Sequence, residues 1–279
     1  MESIDILTIG NITEDKIFKE GKSFSSVGGP SFYASRACIR YGVKVGIISA
    51  SNDEFNLNDH LSGAIIFPQN RKSHTIFENH YNDDLRIQKV IESPKNLDVK
   101  DFNYPRNYPP PKLVFYCPVL DEIPDEFLNL FPGSIRVGNL QGWMRKLDSK
   151  GNVSIKRKIP DLDFSIFDVV IMSECDMDYD KALEISETCK LVCITKGKEG
   201  STLIVNSKVK NYKTIKVKNI DETGAGDVWA ITFSIFHFIF EKNIDESAMF
   251  ANTAASISIQ GLSDSKIPTL NKLLNSKKW

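Results

Sequence analysis

Apolar residues along this chain fall mostly into short continuous runs, the mark of strands buried on both faces. "DILTIGNI" (5–12) is the first, a buried strand ending at Gly10–Asn11. "GGPSFYASRACIRYG" (28–42) opens on a double glycine, has Pro30 near a first helical turn and closes on Gly42, so it predicts a helix with a start and a stop. "VKVGIISA" (43–50) follows as a strand, giving β, α, β at crossover spacing. "LVFYCPV" (113–119), "SIRVGNLQG" (134–142), "DVVIMSE" (168–174) and "LVCITKG" (191–197) predict further buried strands, with "STLIVN" (201–206) after them. Helical patterns such as "DYDKALEISETC" (178–189) separate some of these runs. Near the end, "KTIKVKNI" reads as a strand entering a glycine-rich turn, after which come a long apolar helix, a helix over 245–261 and a short amphipathic tail helix.

Two segments follow another rule. Residues 13–27 alternate irregularly and suggest an exposed strand pair. "HTIFENHY" (74–81) and "LRIQKVIES" (85–93) alternate at period two around an Asn82-Asp83-Asp84 turn, which predicts a hairpin with one solvated face. Residues 51–63 read as a polar loop and "YPRNYPPPK" (104–112) as a rigid connector. The whole predicts one α/β domain over 1–279: a three-layer, doubly wound, mostly parallel sheet with a small β lid formed by about 13–27 and 74–93.

Charge removes several function classes. With 35 basic and 36 acidic residues among 279 the formal net charge is −1, so nothing global draws the chain to nucleic acid or an anionic membrane. Five cysteines (38, 117, 175, 189, 193) include a CxxxC pair without a second pair or nearby histidines, and they read as free thiols of a reducing cytoplasm. "MESIDILTIGN" lacks the features of a signal peptide, and the apolar run from Val228 to Phe240 is too short to span a bilayer. A cytoplasmic location is expected.

The chemistry concentrates at "NIDETGAGDVWAITFSIF" (219–236). Gly224, Ala225 and Gly226 let successive N–H groups converge at a helix start, a cradle for phosphate or for charge developing in a transition state. Asp227 sits inside it, as an N-terminal helix cap or as a general base beside the anion site. A dinucleotide fingerprint fails because Trp229 stands where a third glycine is needed, and a Walker loop fails because no Lys-Ser/Thr follows. Arg145 reads equally as a phosphate contact and as a surface arginine. His237, in an apolar run, reads as a core histidine, and Trp143 and Trp229 as packing groups.

"DETGAGDVWAITF" resembles the C-terminal signature of the PfkB, or ribokinase-like, carbohydrate kinases, with Glu222 as a departure from it. "GNITED" (10–15) and the Gly28–Gly29 segment are similar to the parts that hold the acceptor in that family, which assigns Asn11, Asp15, Gly28 and Gly29 to the acceptor. "CITKGKEGSTLI" (193–204) resembles the nucleotide-binding strand pair and puts Thr195, Gly197 and Gly200 near ATP. "FANTAASISIQGLSD" (250–264) is similar to the helix and loop over adenine, with Asn252 and Gly261 as matches. "SECD" (173–176) stands where a strand-end acid helps organise Mg²⁺, leaving Glu174 and Asp176 as alternatives. Asp221 and Thr223 mark the place of a monovalent cation such as K⁺.

The resemblance implies a ribokinase-like fold and an ATP- and Mg²⁺-dependent phosphotransferase acting on a hydroxyl of a small sugar or cyclic polyol. Asp227 would be its base, and the N–H groups of Gly224, Ala225, Gly226 and Asp227 its anion hole. Short segments such as "LQGWMRKLDSKGNV" and "TIFENHY" are closest to the myo-inositol kinase branch. A ribokinase, a nucleoside kinase with Phe77 or Tyr81 against the base, and a non-catalytic sugar- or nucleotide-sensing protein are the alternatives. The exposed lid edge permits a homodimer.

Overall fold

The continuous apolar runs assemble into one nine-stranded sheet in the computed structural model, which describes residues 3–19, 21–82, 85–94, 96–261 and 266–276. Its strands are β1 (Ile6–Ile9), β4 (Val45–Ser51), β5 (Ile65–Asn70), β8 (Leu113–Tyr116), β9 (Ile135–Asn139), β12 (Val169–Ser173), β13 (Leu191–Thr195), β14 (Ser201–Val205) and β15 (Lys208–Tyr212). The order is β15-β14-β13-β12-β9-β8-β1-β4-β5, parallel from β5 to β13 and antiparallel over the last two strands.

Consecutive residues feed opposite cores, which explains why these strands lack alternation. Ile6, Phe115 and Val169 pack on one face with α1 (Pro30–Arg40), α6 (Ala225–Ser234), α7 (Ile244–Ser258) and α8 (Leu270–Asn275). Leu7, Val114 and Val170 pack on the other with α3 (Asp125–Leu128), α4 (Gln141–Met144) and α5 (Tyr179–Ser186). The result is a three-layer α/β/α structure. From β1 the chain passes to β4 on one side, and β8 lies on the other, so the strand order reverses direction between β1 and β8.

A second sheet begins just past the C-terminal end of β1. The strands β2 (Thr13–Lys19), β3 (Lys22–Gly28), β6 (Thr75–Asn82) and β7 (Leu85–Glu92) pair in the order β3-β2-β6-β7, with β2 parallel to β6. A hairpin of β10 (Arg145–Leu147) and β11 (Val153–Ile155) is tied to β7 by the Val90 N–H donating to the Gly151 carbonyl at 2.8 Å. The Asp83-Asp84 turn and residues 262–264 lie outside the described residues.

Three local expectations need revision. The polar 51–63 segment contains a short helix, α2 (Leu57–His60), and is followed by β5, whose Pro68 is tolerated because β5 is the sheet edge. Residues 213–219 form no strand; Ile220 and Asp221 instead donate their N–H groups to the Ile259 carbonyl at 2.8 and 3.2 Å, at the end of α7. His237 lies in a π-helical turn (Ile235–Ile239), is only part-buried, and its Nδ1 stands 3.0 Å from the Lys242 carbonyl. The wider turn brings the imidazole to the surface.

Candidate active site

The glycine-rich turn takes its shape from steric demands. Gly224 caps α6 in the left-handed region (φ 74°), and a Cβ there would come 2.5 Å from the ring of Tyr33 on α1. A Cβ on Gly226 would meet nothing within 4 Å, so the turn opens outward at that point. The Ala225 N–H already donates to the Glu222 carbonyl at 3.0 Å. Within the described residues this leaves the N–H groups of Gly226 and Asp227 as orphan donors of the helix start.

Asp227 is part-buried at this N-terminus, and its Oδ1 accepts from Asn139 Nδ2 at 3.0 Å. Burial lifts its carboxyl to about 7, against the opposing pull of the Asn139 bond and of Arg145, while Asp176 adds to the rise. A carboxylate poised near neutrality can accept a proton from an attacking hydroxyl. Asn139, at the end of β9, was not singled out in the sequence, although Gly138–Asn139 repeats the Gly10–Asn11 strand end.

The lid supplies the facing wall. Asp15 on β2 is buried, accepts from Thr13 Oγ1 at 3.1 Å, and lies in register with Ser26 and Phe77. Desolvation raises its carboxyl above the ordinary range, opposed by Arg86, Thr13, Arg145 and Asn79. Gly28 must lack a side chain because a methyl there would overlap Asp15 Oδ2. Gly29 (φ 92°) brings the start of α1 against the Asn11 carbonyl, 2.8 Å from a would-be Cβ. Asn11 itself is buried, and its Oδ1 accepts from the Ala50 N–H at 2.9 Å. Its own N–H donates to Glu122 Oε1 at 2.8 Å. Glu122, also unforeseen, takes in addition the N–H groups of Val119 and Leu120, binding the ends of β1 and β8 together.

Arg145, at the start of β10, is part-buried. Its guanidinium lies 5.6 Å from the Phe77 ring centre, donates to the Val119 carbonyl at 3.3 Å and is within electrostatic reach of Asp15, Asp176 and Asp227. Desolvation and the nearby Arg86 lower its proton affinity. Arg86 donates to Asn79 Oδ1 through Nε at 2.9 Å and through its terminal NH2 nitrogen at 2.7 Å. One guanidinium therefore links the three carboxylates into a single constellation.

The remaining candidates divide. Asp176 is buried, accepts from the Ser173 N–H at 3.3 Å and has its carboxyl raised by desolvation; Glu174 is exposed. Asp176 therefore faces Arg145 and Asp227, and Glu174 stands outside. Thr195 ends β13 opposite Ser173, and the Glu174 N–H donates to its carbonyl at 3.0 Å. Gly197 (φ 49°) and Gly200 (φ 96°) shape the turn into β14, where a side chain on Gly200 would overlap the Tyr212 carbonyl. Asn252 is buried with its polar atoms spent on structure: Oδ1 accepts from Trp229 Nε1 at 2.7 Å, and Nδ2 donates to the Tyr212 and Lys213 carbonyls at 3.0 and 3.2 Å. Gly261 lies against Lys266, whose ammonium holds Asp221. Among the described residues no three His, Cys, Asp or Glu side chains cluster closely enough to hold a metal, and of the two strand-end acids only Asp176 is buried within electrostatic reach of Asp227.

Residues 171–270 match the model for "pfkB family carbohydrate kinase". An 87-residue stretch is 32% identical to the 5-dehydro-2-deoxygluconokinase of Mesomycoplasma hyopneumoniae (strain 232), covering 31% of this chain and 26% of that relative's length. A pyrophosphate-dependent kinase in the ribokinase family, complexed with a pyrophosphate analog and myo-inositol, superposes with a TM-score of 0.77 at 16% identity over 97% of this chain and 99% of the other. Arabidopsis thaliana ribokinase, complexed with ribose and ATP, does so with 0.76 at 14% over 100% of both chains. At such identities the likeness to these structures is one of fold.

Proposed function

We propose that residues 1–279 act as one ATP-dependent kinase domain of the pfkB carbohydrate kinase kind, since residues 171–270 match that family's model and the chain carries the ribokinase-like fold. It moves the γ-phosphoryl group to a hydroxyl of a small sugar or cyclic polyol, with a myo-inositol-like acceptor favoured. The observation that carries this reading is Asp227: a carboxylate held near neutrality at an open helix N-terminus, electrostatically joined through Arg145 to Asp15 on the lid.

In this reading Asp15 and Arg145 hold acceptor hydroxyls under the lid, and Asn11 positions the strand end behind them. Asp227 takes the proton of the attacking hydroxyl while the N–H groups of Gly226 and Asp227 meet charge on the transferred phosphoryl. Mg²⁺, when bound, neutralises the donor phosphates; Asp176 would hold it through water. Thr195, Gly197 and Gly200 line the donor side, and Gly261 borders it. The lid keeps water from competing. Five free thiols suit a cytoplasmic setting. Exposed Phe24, Ile87 and Ile91 on the lid fit a second copy of the chain, which light scattering would find as a homodimer that charged substitutions at these positions break.

The test is an acceptor screen for ADP release over myo-inositol, ribose, fructose, fructose 6-phosphate, nucleosides and an acidic keto sugar, repeated with pyrophosphate as donor. Arg86 and Arg145 would also suit the acidic sugar, and its preference over polyols would replace the favoured acceptor. Asp227→Asn should keep the fold and lose roughly 10²–10⁴-fold in turnover, as expected for a general base. Near-wild-type turnover in that variant would end the assignment.

A further inference from the structure

Behind the cradle lies a cation that the sequence did not announce. Lys266 carries a side chain with 0% exposure, and its Nζ donates to Asp221 Oδ2 at 2.8 Å and to the Asp221 carbonyl at 3.1 Å. The other carboxylate oxygen of Asp221 accepts from the Thr223 N–H at 2.9 Å, and the Asp221 N–H bonds the Ile259 carbonyl. Lys266 Nζ also lies 5.9 Å from the centre of the Tyr33 ring, the ring against which Gly224 is packed. The room for this arrangement comes from Gly261, where a Cβ would stand 2.8 Å from Lys266 Cβ. One ammonium thus ties the Asp221 end of the turn to the segment after α7 and lies beside the ring on which Gly224 packs.

A carboxylate oxygen and a carbonyl oxygen converging on one point form the hard-oxygen set that a monovalent metal ion would take. Here an ammonium holds both. A K⁺ ion at Asp221 would have to expel Lys266 and leave its charge buried without a partner, a costly exchange. Burial alone would raise the Asp221 carboxyl; the bonds from Lys266 and Thr223 outweigh it and leave that carboxyl below its ordinary value, as a permanently paired carboxylate requires.

We propose that Lys266 is the built-in cation of the 221–227 turn, a positioning residue that takes the place of a monovalent metal ion and makes phosphoryl transfer independent of K⁺. The inference rests on the reading that this turn receives the transferred phosphoryl.

The experiment compares turnover in K⁺, Na⁺, NH₄⁺ and N-methylglucamine at constant ionic strength, using the acceptor that the screen identifies. Wild-type turnover should be the same in all four; saturable stimulation by K⁺ would overturn the proposal while leaving the kinase assignment standing. Lys266→Met should lower kcat by roughly tenfold to a hundredfold with little change in the acceptor KM, the ratio that loss of a charged hydrogen bond corresponds to. K⁺ or NH₄⁺ should restore part of that loss and N-methylglucamine none. A loss with no cation-specific rescue would mean packing alone, and wild-type activity in this variant would overturn the proposal outright. A readout independent of turnover is melting temperature: K⁺ should not move it in the wild type and should raise it in Lys266→Met. If the variant fails to fold, the wild-type response to K⁺ in both assays still decides.

Discussion

Removing the Asn139 carboxamide tests the proposed base role of Asp227 most directly. Its Nδ2 donates to Asp227 Oδ1 at 3.0 Å and so favours the ionised carboxylate, whose pKa stands at about 7 because burial outweighs this bond. A hydrogen bond to a charged group is worth about 1.5–3 kcal/mol, and one pKa unit corresponds to about 1.4 kcal/mol. Asp227 keeps some contact with solvent, so water replaces part of the lost bond and the lower end applies. Asn139→Ala should therefore move the acid limb of kcat/KM upward by about one unit, from near 7 to near 8. A base works when deprotonated, so activity is lost below the limb and full above it. At pH 7 the ionised fraction falls from about one half to about one tenth, a loss of about fivefold that disappears above pH 9. The assay is ADP release across pH 5.5 to 9.5, paired with a carboxyl-¹³C aspartate titration of the free protein. A limb that stays near 7 while activity falls equally at every pH would refute the reasoning and make Asn139 a packing residue.

Gly28→Ala would push a methyl into Asp15 Oδ2. The acceptor KM should rise by about tenfold or more while KM for ATP stays put, because displacement of a positioned group by even 1 Å is costly; equal effects on both substrates would count against Asp15 as an acceptor contact. Asp227→Asn should also alter stability. Between the ordinary carboxylate value of 3.8 and about 7 the folded protein binds the extra proton, so the wild type loses stability as pH rises through that window. The variant should be more stable than the wild type at pH 8, by about a few kcal/mol at most, and equally stable near pH 4, as read by denaturant unfolding at both pH values; a difference independent of pH would contradict the raised carboxyl.

Much of this was legible before any coordinates. Strands buried on both faces write themselves as unbroken apolar runs, and β1, β4, β8, β9, β12, β13 and β14 were readable for that reason. β5 escaped because an edge strand with Pro68 and one half-exposed face has no such run. Residues 213–219 misled because period-two alternation also describes an extended segment whose N–H groups find partners elsewhere.

The site divides in the same way. Gly224, Gly226 and Asp227 were readable together because an open helix start needs bare residues at adjacent positions, and the amino-acid order alone determines that. Lys266, Asn139 and Glu122 were not, because each acts across 45, 88 or 111 residues of chain. Glu174 and Asp176 were indistinguishable as letters; burial of one and exposure of the other decided between them. Asn252 shows the reverse: it matched a motif, yet the fold spends its amide on Trp229 and two carbonyls. Sequence alone determined the layers, the lid strands and the glycine-rich helix start, since these rest on local pattern. Only the tertiary structure decided which carboxylate is lifted to neutrality and which cation stands behind the turn, because desolvation and charge pairing depend on what the whole chain brings within a few ångströms.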